Sequence, residues 1–116
     1  MQHQPLVTAP TENLDIAATC LDFAGISVPD SWDSRSLRPV LESRTDRVRE
    51  VALSGLGPWS LVTDGRHKLI RTIEKDGNEL LELYDLEEDP AEVIDVADSR
   101  PEVVRRLTRH LRGHNI

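Results

Sequence analysis

Apolar residues recur at two different periods along this chain, and the change of period divides it. Between Glu12 and Ala24 the spacing is helical: Leu14, Ala17, Cys20 or Leu21, and Ala24 make one stripe. Thr11 can cap this helix, and Gly25 can end it in the left-handed region. Residues 1–11 read as a flexible lead-in. Cys20 sits on the stripe and reads as a small core hydrophobe rather than a reactive thiol. Residues 25–47 have no clear period and form a connector. Within it, Val28 is extended because it precedes Pro29. The stretch Ser36–Leu41 predicts one short helical turn with Pro39 near its start. Trp32 is expected to cover a patch of core.

From about Val48 the period falls to two. "VREVALS" and "WSLVTD" flank a "GLGP" turn, and "RHKLIRTIEK" and "NELLELYDLE" follow. Asp64-Gly65 and Asp76-Gly77 separate these runs. Asp-Gly between alternating runs is a strong hairpin signal, because both residues can take positive φ. Leu69 and Ile73 share one face, Lys68 and Thr72 the other. The pattern predicts a four-stranded antiparallel meander over residues 48–88.

The last strand runs into "ELYDLEEDPAEVIDVA". Asp89, Pro90 and Glu92 fit the cap, N1 and N3 positions of a helix, a capping box with aspartate as the cap. Acidic residues suit the positive end of a helix, so this acidity has a local explanation. Ser99, Pro101 and Glu102 read as a second capping box. After it, Val103, Leu107 and Leu111, widened by Val104, form an amphipathic stripe that should cover one face of the sheet. Gly113 stops it. The expected fold class is therefore α+β: a four-stranded antiparallel sheet packed by a C-terminal helix and preceded by an N-terminal helix. The expected organisation is a single domain over 12–116: helix 12–24, connector 25–47, sheet 48–88, C-terminal helices 90–112.

Composition narrows the functions. The 116 residues suit one small domain with a modest core. Aromatics are only 3%, so Leu, Val and Ile must carry the packing. The net charge of −7 argues against nucleic acid and against an anionic membrane surface. With Cys20 alone, no intrachain disulfide and no cysteine-rich zinc site can form. No apolar run is long enough to span a membrane, and "MQHQPLVTAP" lacks the features of a signal peptide.

Candidate chemistry is sparse. Glu87, Glu88 and Asp89 could offer oxygens to calcium or magnesium, but consecutive side chains diverge. His110 and His114 are four apart, yet Gly113 interrupts the helix between them. Arg66, His67 and Lys68 could touch an anion or simply lie at a solvated hairpin end. No nucleophile elbow, phosphate-cradling loop or paired carboxylates in an evident cleft are present. No catalytic, cofactor-binding or metal residues are assigned.

Several stretches together resemble the C-terminal part of the sulfatase (arylsulfatase) family, in the alkaline-phosphatase-like superfamily. In "LDIAATCLDFAGISVPDSWDSRSLRPVL", the matching residues are Asp15, Thr19, Leu21, Ala24, Gly25, Pro29, Asp33, Ser36, Leu37, Pro39 and Leu41. "LVTDGRHKLI" resembles the family's strand pair around Arg-x-Lys-Leu/Ile. "ELYDLEEDPAEVIDVA" resembles its Glu-Leu-Tyr-Asp-Leu-x-x-Asp-Pro-x-Glu-x-x-Asn-Leu-Ala signature and is the most specific match. Ala18, Ser34 and Asp95 depart from the family's proline, glycine and asparagine.

The resemblance implies sulfate-ester hydrolysis by formylglycine and calcium in a catalytic N-terminal domain that this chain does not contain. Cys20 begins "CLDFA", where Asp22 and Ala24 do not fit the Cys-x-Pro/Ala-x-Arg motif. Ser31 with Arg35, and Ser43 with Arg47, supply only the outer residues of the serine form; Asp33 and Thr45 occupy the middle. The implied role is a non-catalytic portion of a sulfuric ester hydrolase that supports its fold and borders the substrate entrance. The other reading is a free-standing binding or dimerisation module derived from a sulfatase. That second reading predicts a homodimer, or docking on a catalytic sulfatase domain, through the N-terminal helix.

Overall fold

A computed structural model describes residues 6–112. The first five residues of the expected lead-in, the expected helix stop Gly113, and His114 lie outside the described residues. The chain divides into two compact units between Glu50 and Val51.

In the first unit, α1 spans Asp15–Phe23 and α2 spans Arg38–Leu41. The turn before α1 is tight: Asp15, Ile16 and Ala17 donate to the carbonyls of Glu12, Asn13 and Leu14, each three residues back. Hence α1 begins three residues later than its apolar period suggests. Thr11 is not the cap. Instead the Asp15 carboxylate reaches back to accept the Glu12 N–H at 2.9 Å, as the third helical residue does in a capping box. The end of α1 follows the sequence. Gly25 takes φ +74°, its N–H bonds to the Asp22 carbonyl, and Ile26 N–H bonds to that of Leu21. That pair of bonds is a Schellman closure, which favours glycine. The expected turn with Pro39 near its start is α2.

The second unit holds β1 (Ala52–Leu56), β2 (Trp59–Thr63), β3 (His67–Ile73), β4 (Glu79–Asp85) and α3 (Pro101–Arg112). The strands lie in sequence order, each antiparallel to the next, with Leu53 opposite Val62, Val62 opposite Leu69, and Leu69 opposite Leu83. Those side chains share one face with a period of two. On that face α3 sets Val103, Leu107 and Leu111 against Val51, Val62, Leu69 and Leu83, with Val104 at the margin. The α+β arrangement, an antiparallel meander packed by α3 and preceded by α1, is the one the periods predict.

Three local readings are corrected. The Asp-Gly turns do not place both residues at positive φ; only Gly65 and Gly77 do so. Around Gly77, Glu74 and Asn78 still pair and leave a three-residue loop closed by the glycine. No helix begins at Pro90. The Asp89 carboxylate accepts the N–H groups of Val93 and Ile94 at 2.9 to 3.2 Å, but Glu92 takes φ +56°, which ends helical propagation before it starts. At α3, Ser99 does not cap: its hydroxyl donates to the Val96 carbonyl.

Candidate functional site

In the first unit, α1 buries the side opposite its apolar stripe. The residues it turns inward are Asp15 and Ala18, both fully buried, with Thr19 and Asp22 beside them. Asp15 is a hub. It accepts the backbone N–H groups of Glu12 and Arg35 at 2.9 Å and two bonds from the Arg49 guanidinium, one of them at 3.0 Å. Arg49 also donates to the Asp33 carbonyl and pairs with Glu12 at 3.5 Å. Burial pushes the Asp15 carboxyl up. The Arg49 hydrogen bond and the two backbone donors outweigh that and hold it below the usual carboxylate value. Thr19 accepts the Leu37 N–H, and Asp22 accepts from Ser36 and Arg38. The connector is thus stitched to α1 by hydrogen bonds.

The apolar side of α1 therefore faces outward. Ile16 is 60% exposed and Phe23 55%, and Leu14, Ala17, Cys20 and Ala24 are exposed with them. The Arg38 guanidinium lies over the Phe23 ring at 4.8 Å and covers part of it. Cys20 is not a core residue, and Trp32 is exposed rather than set over core. In the second unit, the sheet face opposite α3 presents Leu56, Trp59 and Leu80, all exposed, with Leu61, Ile70 and Tyr84 half-buried. Single exposed apolar residues are ordinary; contiguous ones on one helix face or one sheet face mark an interaction surface.

The polar candidates are absorbed into local pairs. Arg66 binds Asp85 at 3.2 Å and Glu87 at 3.5 Å, and Lys68 binds Glu92 at 2.8 Å. His67 is buried with its Nδ1 and Nε2 about 4 Å from the carboxylates of Asp64 and Asp85. Asp64 is in turn bound by Arg106 at 2.7 Å. The trio at 66–68 and the acids at 87–92 thus answer one another across the end of the sheet. Asp89 spends its carboxylate on two backbone donors, and Glu88 is exposed. His110 lies half-buried on α3. Among the described residues no group of three His, Cys, Asp or Glu side chains is placed to hold a metal ion, and none of the helices is long and apolar enough to cross a membrane. Ser31, Ser43, Arg35 and Arg47 belong to the exposed connector.

Two functional features escape the sequence. The Asp15–Arg49 hub joins residues 34 apart with no motif between them. Ile16 and Phe23, a helical repeat of seven apart, lie outside the stripe drawn through Leu14 and Leu21. A stripe drawn through Leu14, Ile16, Ala17, Cys20, Phe23 and Ala24 is wide enough to signal an exposed apolar face.

The comparisons give the chain's likeness to known proteins. An arylsulfatase of Clostridium perfringens (strain 13 / Type A) is 34% identical over 91 residues, which is 73% of this chain and 18% of that protein. The chain is related to the sulfatases. Its likeness is consistent with their C-terminal region. A solved structure in complex with its substrate D-glucosamine-2-N,6-O-disulfate shares 26% identity with a TM-score of 0.68, over 85% of this chain and 22% of that one. A second, from the metabolism of multiple glycosaminoglycans by Bacteroides thetaiotaomicron, shares 28% identity with a TM-score of 0.65, over 85% and 24%. No family model matches. The chain thus spans less than a quarter of the length of these proteins.

Proposed function

We propose that this chain is a non-catalytic, supporting portion of a sulfatase-like sulfuric ester hydrolase and docks on the catalytic part through the outer face of α1. The observation that carries this reading is the sidedness of α1: hydrogen-bonded polar groups inward, Ile16, Ala17, Cys20 and Phe23 outward. A helix that buries a charge network and exposes its apolar stripe is built for a second surface. The likeness to about a fifth of an arylsulfatase supplies a candidate for that surface, the remaining four-fifths. The sheet face of the second unit bearing Leu56, Trp59 and Leu80 is a separate exposed apolar area. Calcium and formylglycine belong, in this reading, to the catalytic part, and loops of this chain border the substrate entrance.

The test has two arms. The chain alone, incubated with an aryl sulfate and calcium, gives no turnover above buffer; turnover abolished by changing Cys20 or Ser31 refutes the reading. The second arm measures self-association by light scattering. The exposed stripe also suits a second copy of the chain. A concentration-dependent dimer that Phe23→Glu dissolves would favour a free-standing dimerisation module instead.

A further inference from the structure

The outer edge of β4 is open at one end and closed at the other. Leu83 turns both backbone groups away from β3: its N–H donates to the Asp95 carboxylate at 2.9 Å, and its carbonyl accepts the Val96 N–H at 2.8 Å. The Asp85 carbonyl also points outward and accepts the Asp89 N–H. In an antiparallel ladder outward-facing residues alternate with paired ones. Leu81 and Glu79 therefore point their N–H and C=O groups outward too, and no partner meets them among the described residues. Segment 95–96 begins a fifth row beside β4 and leaves it after Leu83.

A groove of about 670 Å³ lies along the unpaired stretch, lined by Glu79, Leu81, Val104, Arg105, Thr108 and Arg109, with Glu102 and Arg112 at its ends. A second depression, lined by Ala97, Pro101, Val104 and Leu81, runs on from it toward segment 95–97. Leu81 and Val104 give the groove an apolar floor. Arg105, Arg109 and Arg112 stand along α3 at spacings of four and three residues, so they share a side of the helix. None makes an ion pair among the described residues. The Glu79 carboxylate is held by Arg71, on the strand side.

We infer that this groove takes a short, extended, acidic peptide segment that adds to the β4 edge at Leu81 and Glu79. Main-chain bonds to the edge hold such a segment, and alternate side chains set its specificity. Residues directed toward α3 meet an apolar floor and three guanidinium groups, so one apolar and two acidic residues at alternate positions fit best. The edge is too short to bind a long strand, and the arginines, which carry charge and bulk, disfavour a second copy of β4 pairing there. This inference does not rest on the docking role of α1, which lies in the other unit.

The test is a titration of the full chain, labelled for backbone NMR, with a capped peptide alternating Glu and Val. Leu81 and Glu79 amides should shift and gain protection from exchange, and those of Leu83 should not. Arg105→Gln with Arg109→Gln, both on the exposed side of α3, should weaken binding about fivefold or more and leave the spectrum of the sheet intact. Raising salt should weaken it as well. A Lys-Val peptide should not bind. Equal binding of the Lys-Val peptide, or shifts confined to the opposite sheet face, overturns the inference. So does a sulfated oligosaccharide that engages the same arginines while the Glu-Val peptide leaves the Leu81 amide unprotected.

Discussion

Asp15 shows how one buried charge can organise a loop-rich unit. It has no exposure, and its oxygens are met by two backbone N–H groups and one guanidinium. Removing the guanidinium leaves a carboxylate in the interior without its main partner, which costs about 3–5 kcal/mol. Arg49→Ala should therefore unfold the first unit at much lower urea than the parent, with early exchange of the α1 amides. The pH dependence has a defined sign. The Asp15 carboxyl is lowered by folding from its ordinary 3.8, so its contribution is fully present above that value and is lost as the pH falls through the folded value. Acid unfolding of the first unit should start below pH 4 in the parent and at higher pH in Arg49→Ala. Tyr84 offers an independent check. Its hydroxyl donates to the Glu82 carboxylate at 2.8 Å, and that bond holds the phenol up to about 12. Ultraviolet titration of Glu82→Gln should bring the phenolate midpoint back toward 10.

At the scale of elements, strength lies where the periods are clearest. Leu107 on α3 is fully buried against Leu69 and Leu83. Leu107→Ala should destabilise the second unit by about 2–5 kcal/mol in a denaturant melt. At the β3–β4 loop, Gly77 takes φ +86° with nothing within 4 Å of an added Cβ. Gly77→Ala therefore costs only the left-handed penalty, about 1 kcal/mol. These elements were legible because a two-residue or 3.6-residue period is a direct image of a buried face. What was not legible had a different physical origin. The helix expected at Pro90 failed because Glu92 adopts a left-handed conformation while its carboxylate answers Lys68, a tertiary contact that no cap motif encodes. The face of α1 was assigned by apolarity alone, and a helix whose buried side is polar defeats that rule. The trio Arg66-His67-Lys68 read as an anion contact or a solvated hairpin end; Asp85 and Glu92, which answer Arg66 and Lys68, are distant in sequence.

At the scale of the whole molecule, the chain has a packed sheet-and-helix core, a polar-stitched helical unit and apolar surface left outside both. That surface has meaning only against the size of the relatives. A segment matching 18% of an arylsulfatase carries faces that the remaining length can cover. Ile16→Glu together with Phe23→Glu should leave the melting of the chain alone within about 1 kcal/mol, since both residues are already exposed. The same pair should abolish any docking through α1.

The most direct measurement mixes this chain with a sulfatase from which the corresponding segment has been removed, and follows both complex formation and aryl sulfate turnover. The account predicts a one-to-one complex, turnover restored only in the mixture, and loss of both with the Ile16→Glu, Phe23→Glu pair. Turnover by this chain alone, or a complex untouched by the two glutamates, would contradict it.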